Sequence, residues 1–174
     1  LKYLKQRNIN LAGLFNAIGM SARVLLDSDN PKYQNKYIVM RESLKINYEI
    51  PIEVAKFFIS KVDSGNILFM SSQHTYYKTE GKETYWKAKE KLEQDALELT
   101  SKNPNFNINI ILAGDLGIGM SEEARDKYVQ EETLVDGETI INNCFEYLTT
   151  KKETGKKLLI IARDNKTEVK YLQN

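Results

Sequence analysis

The chain has 174 residues, 41% hydrophobic and 28% charged, which is the make-up of one globular domain and excludes a disordered tail, a collagen-like fibre and a coiled coil. Lys and Arg number 25 against 24 Asp and Glu, so the net charge of +1 offers no concentration of positive charge for nucleic acid. A single cysteine, Cys144, excludes an intrachain disulfide, and with a single histidine, His74, it leaves too few ligands for a structural zinc site.

Leu11, Leu14, Phe15, Ile18, Ala22, Leu25 and Leu26 fall on one wide stripe of an N-terminal amphipathic helix over 9–26. Gly13 and Gly19 weaken it by about 1 kcal/mol each, and the rival reading breaks it at Gly19 and starts a strand at Ala22. Asp27-Ser28-Asp29-Asn30-Pro31 reads as a loop. Lys36–Met40 reads as a strand. Leu44, Ile46, Tyr48 and Ile50 alternate with Lys45, Asn47 and Glu49, the period of a half-buried strand, so 36–50 is expected to form an antiparallel hairpin. Pro51 closes it and opens a helix to about Lys61 that buries Val54, Phe57 and Phe58.

Asp63-Ser64-Gly65-Asn66 is a turn into a buried strand, Ile67–Met70, continuing through Tyr77. Over 82–101, Tyr85, Ala88, Leu92, Ala96 and Leu99 line one face of a helix. Lys and Glu cover the other, with Glu83–Lys87 and Lys89–Glu93 as i,i+4 pairs. Asn103-Pro104 stops it, and Asn107–Ala113 follows as a strand. Ser121 caps a helix to about Gln130. Asp136 caps another that buries Ile140, Ile141, Cys144, Phe145 and Leu148 and ends at Gly155. Leu158–Ala162 is apolar throughout, as a strand covered on both faces must be, and Asp164-Asn165 turns into Thr167–Leu172.

This alternation predicts an α/β sandwich with a largely parallel central sheet, an antiparallel hairpin and the N-terminal helix, in one domain over 1–174, with Ile108–Ala113 and Leu158–Ala162 as central neighbours. No apolar run approaches the roughly 20 residues of a membrane span. The chain begins at Leu1, so it is expected to be a piece of a longer one, and a cytoplasmic location is expected.

The first candidate site is the loop Ala113-Gly114-Asp115-Leu116-Gly117-Ile118-Gly119-Met120-Ser121, between a buried strand and a helix. Glycines admit a ligand to the backbone, and a helix start offers free N–H groups to anions. Gly114, Gly117 and Gly119 have neither the dinucleotide nor the P-loop spacing. Asp115, Glu122 and Glu123 oppose a bare phosphate unless a divalent cation bridges it. The plain alternative is a strand-to-helix connection.

The second candidate is Ser71-Ser72-Gln73-His74-Thr75-Tyr76-Tyr77, where Tyr76 or Tyr77 could stack on a ring and Ser71 or Ser72 with His74 could serve acyl transfer. A half-buried polar strand explains the same residues. Asp27-Ser28-Asp29 reads as a turn before a cation site, Lys151, Lys152, Lys156 and Lys157 as a helix-end basic cluster, and Asn165-Lys166-Thr167 matches a glycosylation sequon.

Leu14–Val24 resembles the stretch after the nucleophile in transglutaminase-like cysteine proteases. That family's cysteine would fall near Leu4, where there is none, and its histidine–aromatic strand is absent from Lys36–Arg41, which excludes an active member. The order of elements is similar to that of the cyclic-dinucleotide receptor STING, which keeps a nucleotide among the expected ligands. The leading expectation is a ligand-binding sensor or regulatory domain for a small polar molecule, with the cofactor unspecified. Next come a module that dimerises through its N-terminal helix and a hydrolase or transferase using His74.

Overall fold

The computed structural model describes residues 13–19, 31–114, 135–149, 153–163 and 166–172. These form β1 (Gly13–Asn16), a 3-10 turn (Pro31–Gln34), α1 (Lys36–Leu44), a π-helical segment (Lys45–Glu49), α2 (Ile50–Ile59), β2 (Gly65–Ser72), α3 (Gln73–Tyr77), α4 (Glu83–Lys102), β3 (Phe106–Ala113), α5 (Gly137–Thr149), β4 (Lys157–Arg163) and β5 (Lys166–Leu172). The strands make one sheet in the order β1-β2-β3-β4-β5, parallel from β1 to β4. The β4–β5 hairpin is antiparallel.

Alternate strand residues serve two cores. Ile67, Phe69, Ile108, Ile110, Leu112, Leu159 and Ile161 pack beneath Ile52, Ala55 and Phe58 of α2 and Leu92 and Ala96 of α4. On the other face Leu68, Ile111, Leu158 and Ile160 meet Ile140, Cys144 and Tyr147 of α5. Helices on both faces explain why β3 and β4 are apolar along their lengths. Ile110–Ala113 pair directly with Lys157–Ile160, which makes them the expected central neighbours. Gly155, at φ +72°, turns the chain into β4 and donates its N–H to the Ile108 carbonyl.

Four expectations are corrected. Gly13–Asn16 is a strand pairing with Asn66–Phe69, so the N-terminal amphipathic helix, and the dimer contact built on it, does not run through these residues. The expected hairpin over 36–50 is helical, and α1, the π segment and α2 follow one another without an extended residue between them. The buried positions there include Val39, Ser43, Asn47, Pro51 and Ala55, four apart as on a helix. Two of them are polar, so the visible apolar residues alternated instead. Residues 73–77 are helical, because Ser72 caps them by accepting the His74 N–H. Phe57, Ile141 and Phe145 are exposed, while Ile52, Ala55 and Tyr147 take the expected core places.

Asp136 caps α5 as expected, accepting the N–H groups of Glu138 and Thr139. Truncating Leu159, which is 0% exposed, is expected to cost about 2–5 kcal/mol. Phe145→Ala, at a site 66% exposed, should stay within about 0.5 kcal/mol in the same urea titrations.

Candidate functional site

Ligands of open α/β sheets seat at the carboxyl ends of the strands. Here β1 runs out into residues 17–19, β2 into Ser72 and α3, and β3 into Gly114. A lysine holds the first two together. Lys89 of α4 is 2% exposed, and its Nζ donates to the carbonyls of Ile18 at 2.9 Å and Met70 at 3.0 Å. Burial pulls its pKa down to about 8, against an upward pull from Glu93. Lys89 therefore keeps its charge at neutral pH.

The π segment brings Asn47, 0% exposed, to the same place. Its Nδ2 donates to the Ser43 carbonyl at 2.9 Å, the acceptor its own backbone N–H would use in an α-helix. Pro51 has no N–H to offer the Asn47 carbonyl, so the regular ladder fails there twice. The Ile50 N–H bonds instead to the Lys45 carbonyl, five residues back. Asn16 locks the kink by donating to the Pro51 carbonyl at 2.8 Å. A Cβ on Gly19 would stand 2.9 Å from Lys89 Nζ and 3.2 Å from Asn47 Oδ1, so both side chains close on the bare backbone of Gly19.

Tyr85 lies one turn before Lys89, where i,i+4 side chains are neighbours, and its ring meets that of His74 edge-on at 6.3 Å. One turn after Lys89, Glu93 accepts from Ser71 Oγ at 2.6 Å and pairs with Lys157 at 2.9 Å.

Some of the expected site residues do come together. A Cβ on Gly114 would lie 3.3 Å from Gln73 Oε1, so the β3 end and the 71–77 stretch adjoin. That Cβ would also strike Val135 Cγ2 at 2.5 Å, so packing alone requires Gly114. Asp115, Gly117, Gly119 and Ser121 lie outside the described residues, as do Asp27-Ser28-Asp29, Lys151, Lys152 and Asn165.

The Ser71–His74 couple is not formed. The hydroxyl hydrogen of Ser71 goes to Glu93, while the His74 ring nitrogens meet Thr79 Oγ1 at 2.9 Å and Lys82 Nζ at 2.8 Å. Tyr76 and Tyr77 are half exposed and stacked edge-on at 5.0 Å. Lys156 and Lys157 are spent on Glu153 and Glu93.

Asn47, Tyr85 and Lys89 are missed by sequence reasoning, which puts Lys89 and Glu93 on a solvent face. The available signal was spacing: Lys89 and Glu93 follow Ala88 and Leu92, and Tyr85 precedes Lys89 by one turn. Among the described residues no cluster of three or more His, Cys, Asp or Glu could hold a metal ion, and no helix is long and apolar enough to cross a membrane.

No family model matches the sequence, and no curated protein does. Solved structures do. The enoyl-acyl carrier protein reductase of Bacillus cereus, in complex with NADP+ and an indole naphthyridinone, superposes with a TM-score of 0.69 at 16% identity over 91% of this chain and 66% of its own. The Plasmodium berghei enoyl-acyl-carrier-protein reductase with triclosan gives 0.68 at 17% over 94% and 60%. FabI from Candidatus Liberibacter asiaticus gives 0.70 at 18% over 90% and 65%. The chain thus spans just under two thirds of the length of these neighbours. At these identities the likeness establishes a Rossmann-like α/β fold.

The lowered pKa of Lys89 has a signed consequence. Between about pH 8 and its ordinary value near 10.5, the unfolded chain still binds a proton that the folded one has shed. Stability contributed by this group therefore rises with pH across that window. Subtracting the Lys89→Met profile from that of the native chain, both from urea titrations, should leave a rise on the order of 3 kcal/mol. A flat difference would place the ammonium in water.

Proposed function

We propose that this chain carries the reacting centre of an NADP-dependent reductase for a conjugated acyl thioester or a related carbonyl compound, with Tyr85 as proton donor. The observation that carries this reading is the buried Lys89 ammonium, held by two strand-end carbonyls one turn from Tyr85. Two of the structural neighbours are enoyl-acyl carrier protein reductases, one of them with NADP+ bound, which supports the same reading.

The residues fit such a cofactor. An ammonium has three N–H donors. Two go to Ile18 and Met70, and the third suits a ribose hydroxyl beside the bare Gly19 backbone. Gly114, Asp115, Gly117, Gly119 and Ser121, at and after the end of β3, are proposed as further ligand-binding residues.

Bound NADPH supplies a hydride to the substrate. Charge then develops on the carbonyl oxygen, and the Tyr85 O–H bond breaks as its proton passes to that oxygen. A phenol with a pKa of about 10 is a poor acid at neutral pH. A cation one turn away stabilises the phenolate left behind, and its low-dielectric surroundings strengthen the effect. Ser72, at the end of β2, accepts from the His74 N–H, a bond that leaves its own hydroxyl hydrogen to steady the same oxygen.

The test has two readouts. NADP+ and NADPH at 100 times their Kd should stabilise the protein by about 2.7 kcal/mol in thermal unfolding. NADPH absorbance with a short enoyl thioester and a 3-ketoacyl thioester reports turnover, which Tyr85→Phe should cut by about 10²–10⁴ while binding persists. No thermal shift with either nucleotide would sink the reductase. Binding by the native chain without turnover of any acyl substrate would put the ligand-binding sensor in its place.

A further inference from the structure

We propose that Glu93 is a positioning residue that holds Lys89 in its charged state, with its own carboxylate clamped between Ser71 and Lys157. This rests on the reductase reading for its purpose, though not for its geometry.

Glu93 is 4% exposed, and both of its oxygens are occupied: Oε1 accepts from Ser71 Oγ at 2.6 Å and Oε2 from Lys157 Nζ at 2.9 Å. The two partners belong to β2 and β4, so the carboxylate cannot swing away without breaking contacts to both strands. Ser71 directly follows Met70, whose carbonyl receives Lys89. The clamp and the ammonium therefore share one stretch of β2 as well as one face of α4.

The charge count makes Glu93 decisive. Two cations, Lys89 and Lys157, reach this face of the sheet, and Glu93 answers both. The Lys157 side chain is 22% exposed and that of Glu93 5%, so water screens the lysine more than the carboxylate. Glu93 therefore has field left to spend on Lys89.

Tyr85 lies one turn from Lys89 on α4, and several other ionisable groups on the packed elements have partners elsewhere. β2 and β3 contain none. In α1, Glu42 pairs with Lys32, and in α2, Glu53 pairs with Lys56. Tyr48 of the π segment donates to Asp95, and His74 of α3 is engaged by Thr79 and Lys82. On α4 itself, Glu90 pairs with Lys78. Burial favours loss of the Lys89 proton, and the attraction that opposes it comes from Glu93.

The test follows the titration of Lys89 by NMR in lysine-labelled protein, its signal assigned with Lys89→Met, and needs no substrate. Glu93→Gln keeps an acceptor for Ser71 and removes the charge. It should lower the Lys89 midpoint by about one pH unit, a tenfold fall in the ratio of charged to neutral lysine at fixed pH. Glu93→Asp should restore part of that shift. Lys157→Gln removes the competing cation and should raise the midpoint.

Opposite shifts from Glu93→Gln and Lys157→Gln bear the proposal out. An unmoved midpoint in folded Glu93→Gln, or shifts in the same direction, would overturn it. Should Glu93→Gln fail to fold, Glu93→Asp decides alone: a partial fall of the midpoint supports the proposal, and no shift or a rise refutes it. In turnover, the alkaline limb of the rate profile should move with the midpoint. If the midpoint moves as expected while Tyr85→Phe turns over normally, the electrostatic clamp stands and the reductase falls. If the midpoint is unmoved while Tyr85→Phe is impaired, the clamp falls and the reductase stands.

Discussion

The ammonium of Lys89 is the constraint around which the upper edge of the sheet is arranged. A buried cation is costly unless hydrogen-bonded, and this one draws on the carbonyls of Ile18 and Met70, beyond β1 and near the end of β2. Those acceptors tie the outgoing β1 chain to its neighbour past the point where sheet pairing stops at Asn16 and Phe69. Little volume is left beside Nζ, and a Cβ at position 19 would push the ammonium from its place. The charge requires an answering carboxylate in the same low-dielectric region, and Glu93, one turn along the helix, supplies it.

The π segment follows a similar logic in the same layer, on the neighbouring helix. A strong interior α-helix would turn Asn47 into one more backbone rung. Its side chain instead takes the Ser43 carbonyl, Pro51 withholds the N–H that the Asn47 carbonyl would receive, and Asn16 fills the acceptor at Pro51. Each such buried hydrogen bond is worth only about 1 kcal/mol net, but an orphaned partner costs about 1–3. The local defect is therefore stable only as a complete set. It places a buried amide against Gly19 and Lys89, where an unbroken helix would present a solvent-facing polar residue or an apolar one.

This is also why the sheet was legible in the sequence and the site was not. β3 and β4 are apolar on both faces, Asp136 is followed by good cap geometry, and Gly155 punctuates the turn, so each local signal agrees with the fold. The helix over 36–59 fails that consistency at Ser43 and Asn47, polar residues in core positions, and what remained visible was a false alternation of Leu44, Ile46, Tyr48 and Ile50. Lys89 and Glu93 misled in the same way. An i,i+4 charge pair is a commonplace of exposed helix faces. Here its two members flank Leu92 and meet strand carbonyls, a serine and a lysine from β4 instead of water. At Gly114 a Cβ would strike Val135, so packing accounts for the glycine by itself.

Chemistry collects in this chain where helices give up core positions. On α4 the buried positions read Ala88, Lys89, Leu92, Glu93 and Ala96, with half-buried Tyr85 one turn before Lys89. Along 39–55 the buried positions include Val39, Ser43, Asn47, Pro51, Ile52 and Ala55, with Asn47 at the same place as Lys89 beside Gly19. Two helices that each spend core positions on polar groups, at one height, lose hydrophobic burial that either could have had. The loss is structurally tolerable only because the groups satisfy one another and the strand-end carbonyls. On the reading proposed above it is also functionally intelligible, since a buried ammonium held charged by a fixed carboxylate would stabilise negative charge on the Tyr85 phenol one turn away. A solvated lysine on the outer face would be screened to a small fraction of that effect.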